Sequence, residues 1–169
     1  MELEETMRSL RRKEKAITDE NEMSAVLENT KYVTVAMCRN NEPYLVTLSH
    51  GYDKEKKCIY FHCAQEGKKI DILGENDKVW GQALIDKGYV KGKCDHLFAT
   101  AQFMGSIMFV DNIEEKRHGL QIMIKALEED PEKVMEAQLT KKALQGVKVG
   151  RIDIKYMSGK KSEKVIVSL

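Results

Sequence analysis

The chain has 169 residues, of which 42% are hydrophobic and 33% charged, and its net charge is +1. The hydrophobic content excludes a disordered chain, and the small net charge excludes a global electrostatic field that would recruit nucleic acid. Its apolar runs are too short to cross a bilayer, its charged N-terminus lacks the apolar core of a signal peptide, and its four scattered cysteines are typical of free thiols. We therefore expect one cytoplasmic domain over residues 1–169, long enough for a sizeable core.

The chain begins with a basic arm over residues 1–18, which includes Arg8 and two further arginines. A solvated leader is the favoured interpretation of this arm, and contact with nucleic acid is the alternative. A helix of about ten residues follows. Asp19 and Glu22 have the spacing of a capping box, and Met23 begins its apolar stripe.

Alternating and β-branched residues then predict six strands, at residues 32–38, 44–53, 59–64, 79–85, 98–110 and 147–157. In the second strand, Thr47 and Ser49 share a face of small polar residues. That face either leaves room for a flat ligand or simply points to water. Residues 87–93 read as a Gly-rich turn, Gly105 marks a bend or bulge, and a change of apolar parity at Gly150 predicts a β-bulge there.

The stretch from Ile59 to Asn76 is the most informative part of the chain. It reads as a strand, a turn ending at Gly67, and a helix that starts with Lys68 and Lys69. Unpaired N–H groups, the helix dipole and two ammonium groups meet there, which favours a phosphate site. The alternative is an ordinary strand-to-helix connection with two solvated lysines.

Two further helices complete the predicted elements. Asn112 caps the first, with Glu115 in the box position, and Asp130-Pro131 begins the second, which ends near Gly146. Strands joined by hairpin-length turns favour a mainly β fold, a small antiparallel β-barrel with flanking helices, over a doubly wound sheet.

The histidines offer few catalytic or metal-binding signatures. His50 and His62 fall in neighbouring strands and could face one cavity, although a structural role is the commoner one for such residues. His96 follows Cys94-Asp95 in a loop, where no second cluster supports a metal site. No nucleotide-binding glycine motif, P-loop or nucleophile elbow is present.

Four segments together resemble a known family: MRSLRRKEKAITDENEM, EPYLVTLSHGYD, IYFHCAQEGKKIDILGEN and FVDNIEEKRHGLQIMI. They are similar to the FMN-binding proteins related to pyridoxamine 5'-phosphate oxidase, nearest the nitroimidazole-resistance (Nim) type. The resemblance covers about residues 7–160 and implies a six-stranded antiparallel split barrel that forms a homodimer with FMN at the subunit interface. It implies the cofactor-binding residues Thr47, Leu48, Ser49 and His50 around the isoalloxazine and ribityl chain, His62, Cys63 and Ala64 beside them, and Lys68 and Lys69 on the phosphate.

The chain also departs from this family. It has AQFMG at residues 101–105, where relatives often carry a serine, and Thr47 where many have proline. The arginine pair that grips pyridoxine phosphate in the true oxidases has no counterpart, so we do not expect that activity.

Three functions follow from the resemblance. The first is an FMN-dependent oxidoreductase acting on small electrophiles such as nitroaromatics, with His62 as the catalytic proton donor. The second is a non-catalytic flavin-binding or redox-sensing module. The third is haem binding, with His50, His62, His96 or His118 as axial ligand.

Overall fold

The structure, a computed structural model, describes residues 10–168. It contains one antiparallel sheet of eight strands: β1 Ala16–Ile17, β2 Tyr32–Arg39, β3 Glu42–Ser49, β4 Gly51–Asp53, β5 Cys58–Cys63, β6 Lys78–Val90, β7 Asp95–Val110 and β8 Lys148–Lys161. The α-helices are α1 Glu20–Glu28, α2 Lys68–Glu75, α3 Ile113–Leu127, α4 Pro131–Gln138 and α5 Lys141–Gly146. The prediction of a mainly β, antiparallel fold with flanking helices is confirmed.

The strand order brings the two ends of the sheet together. The order is β3-β2-β6-β7-β8-β5-β4, so the end strands β3 and β4 are consecutive in the chain and separated only by His50. The first part of residues 42–53 pairs with β2, and the last part pairs with β5. β3 and β5 contact each other, but no ladder joins them, and the sheet is therefore not closed.

The predicted count of six strands is wrong. The predicted strand over residues 44–53 divides at His50, because its two parts pair with different neighbours. The eighth strand is β1, only two residues long, which pairs with Lys160 and Gly159 of β8. Of the predicted basic arm, Arg8 lies outside the described residues, and Lys13–Lys15 form one 3-10 turn before β1.

Two element boundaries also differ from the predictions. The Gly-rich turn predicted at residues 87–93 is shorter, because β6 continues to Val90 and the turn occupies residues 91–94. The helix predicted from Asp130 to Gly146 is split into α4 and α5, because Thr140 caps a new helix by accepting a hydrogen bond from Ala143 N.

The bulge in the last strand is not at Gly150, where the β5–β8 register runs without a shift. The β7–β8 register shifts instead between Met104 and Gly105, which confirms the irregularity predicted at Gly105. Apolar parity changes near Gly150 because β8 is buried on both sides. Ile152 packs inside the curled sheet, whereas Val149 packs beneath α3.

Two clusters of buried residues hold the fold together. The larger one fills the curled sheet and includes Val33, Phe61 and Phe103, each at most 1% exposed. The smaller one joins α3 to the opposite side of β5 and β8, through Tyr60 and Met123. In residues 10–168, no helix combines the length and the apolar character needed to span a membrane.

Candidate functional site

The turn between β5 and α2 forms the cationic end of the candidate site. The chain leaves β5 at Cys63 and enters α2 at Lys68, with Gly67 at the N-cap position and a φ of 141°. That φ is in a region that side chains rarely tolerate, so a glycine suits this corner. Gly67 O accepts hydrogen bonds from Ile70 N and Asp71 N, and no side chain caps the helix. The first N–H groups of α2 are therefore available to an anion.

Two lysines that follow one another at this corner are directed to different places. Lys68 Nζ lies 4.7 Å from the centre of the Tyr44 ring, on β3. Lys69 lies close enough to His62 and Cys63 for its charge to act on both. The ion pairs among the described residues include neither lysine. Two cations with no carboxylate partner are therefore available to an external anion.

The titration of His62 and Cys63 reflects this surrounding. Loss of hydration on its protein side lowers the pKa of His62, and the Lys69 ammonium lowers it further, although the side chain is exposed overall. Burial raises the pKa of the half-buried Cys63 thiol, while the charges of Lys69 and Lys148 act in the opposite direction. Both residues are therefore biased towards their neutral forms.

Alternation along the chain separates the four consecutive residues that were predicted to line a flavin, three at the end of β3 and His50 directly after it. Thr47 and Ser49 are exposed, and Thr47 Oγ1 lies 3.3 Å from Thr34 Oγ1 of β2. Leu48 is 7% exposed and His50 is 1% exposed, both directed into the interior. The backbone of these two residues is directed to β2, since His50 N donates to Lys31 O at 3.3 Å and Leu48 is two residues earlier in the same register. The backbone groups of Thr47 and Ser49 therefore point to the other edge of β3. Because β3 is an end strand, one of its edges also has no strand partner.

His50 instead joins β3 to α1. Its Nε2 lies 3.1 Å from the carbonyl oxygen of Leu27, to which it can only donate, and the buried Nδ1 has no partner among the described residues. Burial lowers the pKa of His50, and the hydrogen bonds to backbone groups offset this only in part. These contacts indicate a structural histidine.

The register of the sheet brings four other predicted residues to one place. In the β4–β5 ladder, Gly51 pairs with Tyr60. Counted on from this pair, Ser49 would fall opposite His62 and Thr47 opposite Ala64, across a gap where β3 and β5 contact each other without a ladder. We call residues 47–49 and 62–64 the seam, since they mark the gap between β3 and β5. Thr47, Ser49, His62 and Ala64 are all exposed there, next to the start of α2.

Two of the histidines named as candidate haem ligands lie away from the seam and are paired with carboxylates. His96 Nε2 lies 2.7 Å from Asp86 Oδ1 on the β6–β7 hairpin, and His118 Nε2 lies 2.6 Å from Asp53 Oδ2 beneath α3. Within residues 10–168, no group of three or more metal-binding side chains occurs.

The side of the sheet that continues from the seam is unusually apolar. We call it the outer face, and it is formed by outward residues of β2, β3 and β6. Its large exposed side chains include Tyr32 at 59%, Leu45 at 63%, Trp80 at 43% and Leu84 at 51%. Sequence reasoning missed this face, because its members are spread over three strands and only their pairing brings them together.

Comparisons with known proteins agree with this fold. The family model described as pyridoxamine 5'-phosphate oxidase matches residues 19–161. No curated protein matches the chain significantly. A candidate 5-nitroimidazole antibiotic resistance protein from Bacteroides thetaiotaomicron is 25% identical, with a TM-score of 0.73 over 86% of this chain and 85% of that one.

Two more distant structures share the fold. Flavocytochrome Anf3 from Azotobacter vinelandii is 16% identical, with a TM-score of 0.77 over 93% of this chain and 73% of that one. The FAD and haem binding protein from Mycobacterium smegmatis is 17% identical, with a TM-score of 0.73 over 92% and 77%. With its family model matching most of its length and its fold shared with these structures, the chain belongs to the pyridoxamine 5'-phosphate oxidase family.

Proposed function

We propose that the chain is an FMN-binding flavoprotein with a six-stranded split-barrel core, in which β3 and β4 count as one interrupted strand and the two-residue β1 is not counted. The observation that carries the proposal is the pair Lys68 and Lys69 at the uncapped start of α2, without carboxylate partners among the described residues and next to an exposed seam. Family membership and the names of the structural relatives, a flavocytochrome and an FAD and haem binding protein, support a flavin as the ligand.

The residues present fit each part of FMN. The phosphate would bind to the N–H groups of α2 and to Lys68 and Lys69, where charge and dipole both favour an anion. The ribityl chain would follow the unpaired edge of β3, using the backbone of Thr47 and Ser49, because the backbone of Leu48 and His50 faces β2. The isoalloxazine would lie on the seam, against Thr47 and Ser49 on one side and His62, Cys63 and Ala64 on the other.

The outer face supports a homodimer with FMN at its interface. Exposed patches of large apolar side chains on soluble proteins commonly mark interaction sites, and the outer face adjoins the seam. A two-fold interface would cover the same residues on both copies and create two equivalent flavin sites. Light scattering at micromolar concentration tests this, and a stable monomer of 19.4 kDa contradicts it.

The proposed activity is reduction of small electrophiles such as nitroaromatics. FMN would supply the electrons, and the protein would bind the cofactor, orient the acceptor and provide a proton. His62 is the residue proposed as catalytic for proton transfer, because it is exposed at the seam and an imidazole titrates at about 6.5 when unperturbed. Its lowered pKa favours the neutral ring at pH 7, so proton donation should strengthen as pH falls.

Flavin titration of lysine variants tests the proposed binding site. Lys69→Gln removes one charge at the phosphate and should weaken FMN binding roughly tenfold or more. Each tenfold loss of affinity corresponds to about 1.4 kcal/mol of binding free energy. Riboflavin, which lacks the phosphate, should bind the variant and the wild type equally. A wild-type protein that binds neither ligand, or a variant that loses both equally, contradicts the proposal.

The His62→Gln variant separates an enzyme from a passive flavin-binding module. Glutamine keeps hydrogen bonding but does not titrate, so FMN should stay bound while oxidation of the reduced flavin by the acceptor slows roughly a hundredfold. Stopped-flow absorbance measures this step. Unchanged rates and an unchanged pH profile would show that His62 is structural. A wild-type protein that reduces no acceptor would show that the chain is a flavin-binding module without this activity.

A further inference from the structure

We propose that Lys148, at the start of β8, is a third cation of the phosphate site and makes it selective for a dianionic phosphate monoester. This inference rests on the proposed function, because it concerns the same site. Lys148 is 79 residues away from Lys69 in the sequence, so no local pattern relates the two. The β5–β8 ladder places them together.

The ladder sets Lys148 directly beside the candidate site. Its last pair is Cys63 with Lys148, and paired residues on neighbouring strands have side chains on the same face. The charges of Lys69 and Lys148 both act on the Cys63 thiol. Two ammonium groups from different elements, α2 and β8, therefore converge on one residue of the seam.

The ammonium group of Lys148 is held in position. Its Nζ lies 4.8 Å from the centre of the Phe109 ring on β7, within the range of a cation–π contact, and the side chain is half-buried. The ion pairs of the described residues do not include Lys148. An aromatic ring orients this cation without neutralising it, which leaves its charge for an anion.

A hydrogen bond fastens the lysine-bearing turn to the segment that precedes Lys148. Gln65, in the turn between β5 and α2, donates from Nε2 to the carbonyl oxygen of Gly146 at 2.8 Å. The neighbouring Val147 carbonyl accepts a hydrogen bond from Lys116 Nζ at 3.1 Å. The Gln65 contact ties the turn before α2 to the segment before β8, and the Lys116 contact ties that segment to α3. The start of β8 is therefore held next to the start of α2, as a shared binding site requires.

Three lysines suit the doubly charged phosphate monoester of FMN better than the singly charged phosphates of FAD. A phosphate monoester carries about −1.5 to −2 charges at pH 7, with a second pKa of about 6, whereas each phosphate of a dinucleotide carries one. Lys148 should therefore contribute most to binding above that pKa. It should contribute less to FAD than to FMN and nothing to riboflavin.

The test is titration of FMN, FAD and riboflavin into the full chain carrying Lys148→Gln, with Lys155→Gln as a matched control. Lys155 lies on the same strand, is exposed and donates to Ser106 Oγ at 2.7 Å. Lys148→Gln should weaken FMN binding about tenfold at pH 7.5 and much less at pH 5.5, leaving riboflavin affinity and thermal unfolding unchanged. Lys148→Arg should restore most of the affinity, and Lys155→Gln should have no effect.

The outcomes distinguish this inference from the proposed function. If Lys69→Gln weakens FMN binding but Lys148→Gln does not, Lys148 lies outside the phosphate site and only this inference is wrong. Equal losses of FMN and riboflavin, or a loss independent of pH, would assign Lys148 to packing and overturn the inference as well. A wild-type chain that binds no flavin overturns both.

Discussion

The contact between Phe61 and Gly150 gives the sharpest test of the packing that holds the seam. The two residues are cross-strand partners on β5 and β8, and Phe61 is 1% exposed. A Cβ atom on Gly150 would lie 2.2 Å from Cζ of the Phe61 ring, far inside van der Waals contact. The ring therefore lies directly over the glycine, immediately before His62 and Cys63 in the chain.

A double-mutant cycle measures this contact. Gly150→Ala forces the ring to move and should lower the free energy of unfolding by about 1–3 kcal/mol. Phe61→Ala leaves a cavity and should cost about 3–5 kcal/mol. In the double variant the new methyl group meets empty space, so the loss should be smaller than the sum, by a coupling energy of about 0.5–3 kcal/mol.

Urea unfolding at one fixed protein concentration, followed by the fluorescence of the single tryptophan, Trp80, provides the assay. Gly74→Ala is the control, since a Cβ on Gly74 in α2 would meet nothing within 4 Å. That variant should be more stable by about 0.5–1 kcal/mol, from helix propensity alone. A Gly150→Ala protein as stable as the wild type, or additive losses in the cycle, would refute the packing argument.

Three further predictions concern titratable side chains. Burial holds the pKa of His50 below its ordinary 6.5, so the native protein resists a proton that the unfolded chain accepts. The free energy of unfolding from urea titrations should be level above pH 6.5 and fall below it, by at most about 1.4 kcal/mol per pH unit for this proton. His50→Gln should remove that fall. Burial alone would raise the pKa of Asp53, but hydrogen bonds, led by that of His118, lower it overall. The stability that Asp53 contributes is therefore present above pH 3.8 and lost as the pH falls further. At pH 7, His118→Ala should lower the free energy of unfolding by about 1–3 kcal/mol in the same assay, and a variant as stable as the wild type would contradict the pairing. Burial raises the pKa of Cys58 to about 11, so a thiol-reactive disulfide reagent should modify exposed Cys94 quickly and Cys58 only on unfolding, and rapid labelling of Cys58 in the native protein would contradict its burial.

The sequence alone predicted the features that depend on a few neighbouring residues. Asn112 caps α3 as expected, accepting hydrogen bonds from Glu114 N and Glu115 N at 2.9 and 3.0 Å. Asp19 caps α1 by accepting a hydrogen bond from Asn21 N. The family resemblance is confirmed by the match over residues 19–161. Helix caps and strand alternation depend on residues within one turn or one strand, so they can be predicted without knowledge of the fold.

Only the tertiary structure decided which strands become neighbours. The register of β8 against β7 sets the irregularity at Gly105 rather than at Gly150, and the different partners of β3 and β4 divide one predicted strand at His50. The same pairing buries His50, exposes Ser49 at the seam and brings Lys148 beside Cys63. These arrangements depend on contacts between residues far apart in the chain, whose free energies no local pattern of side chains records.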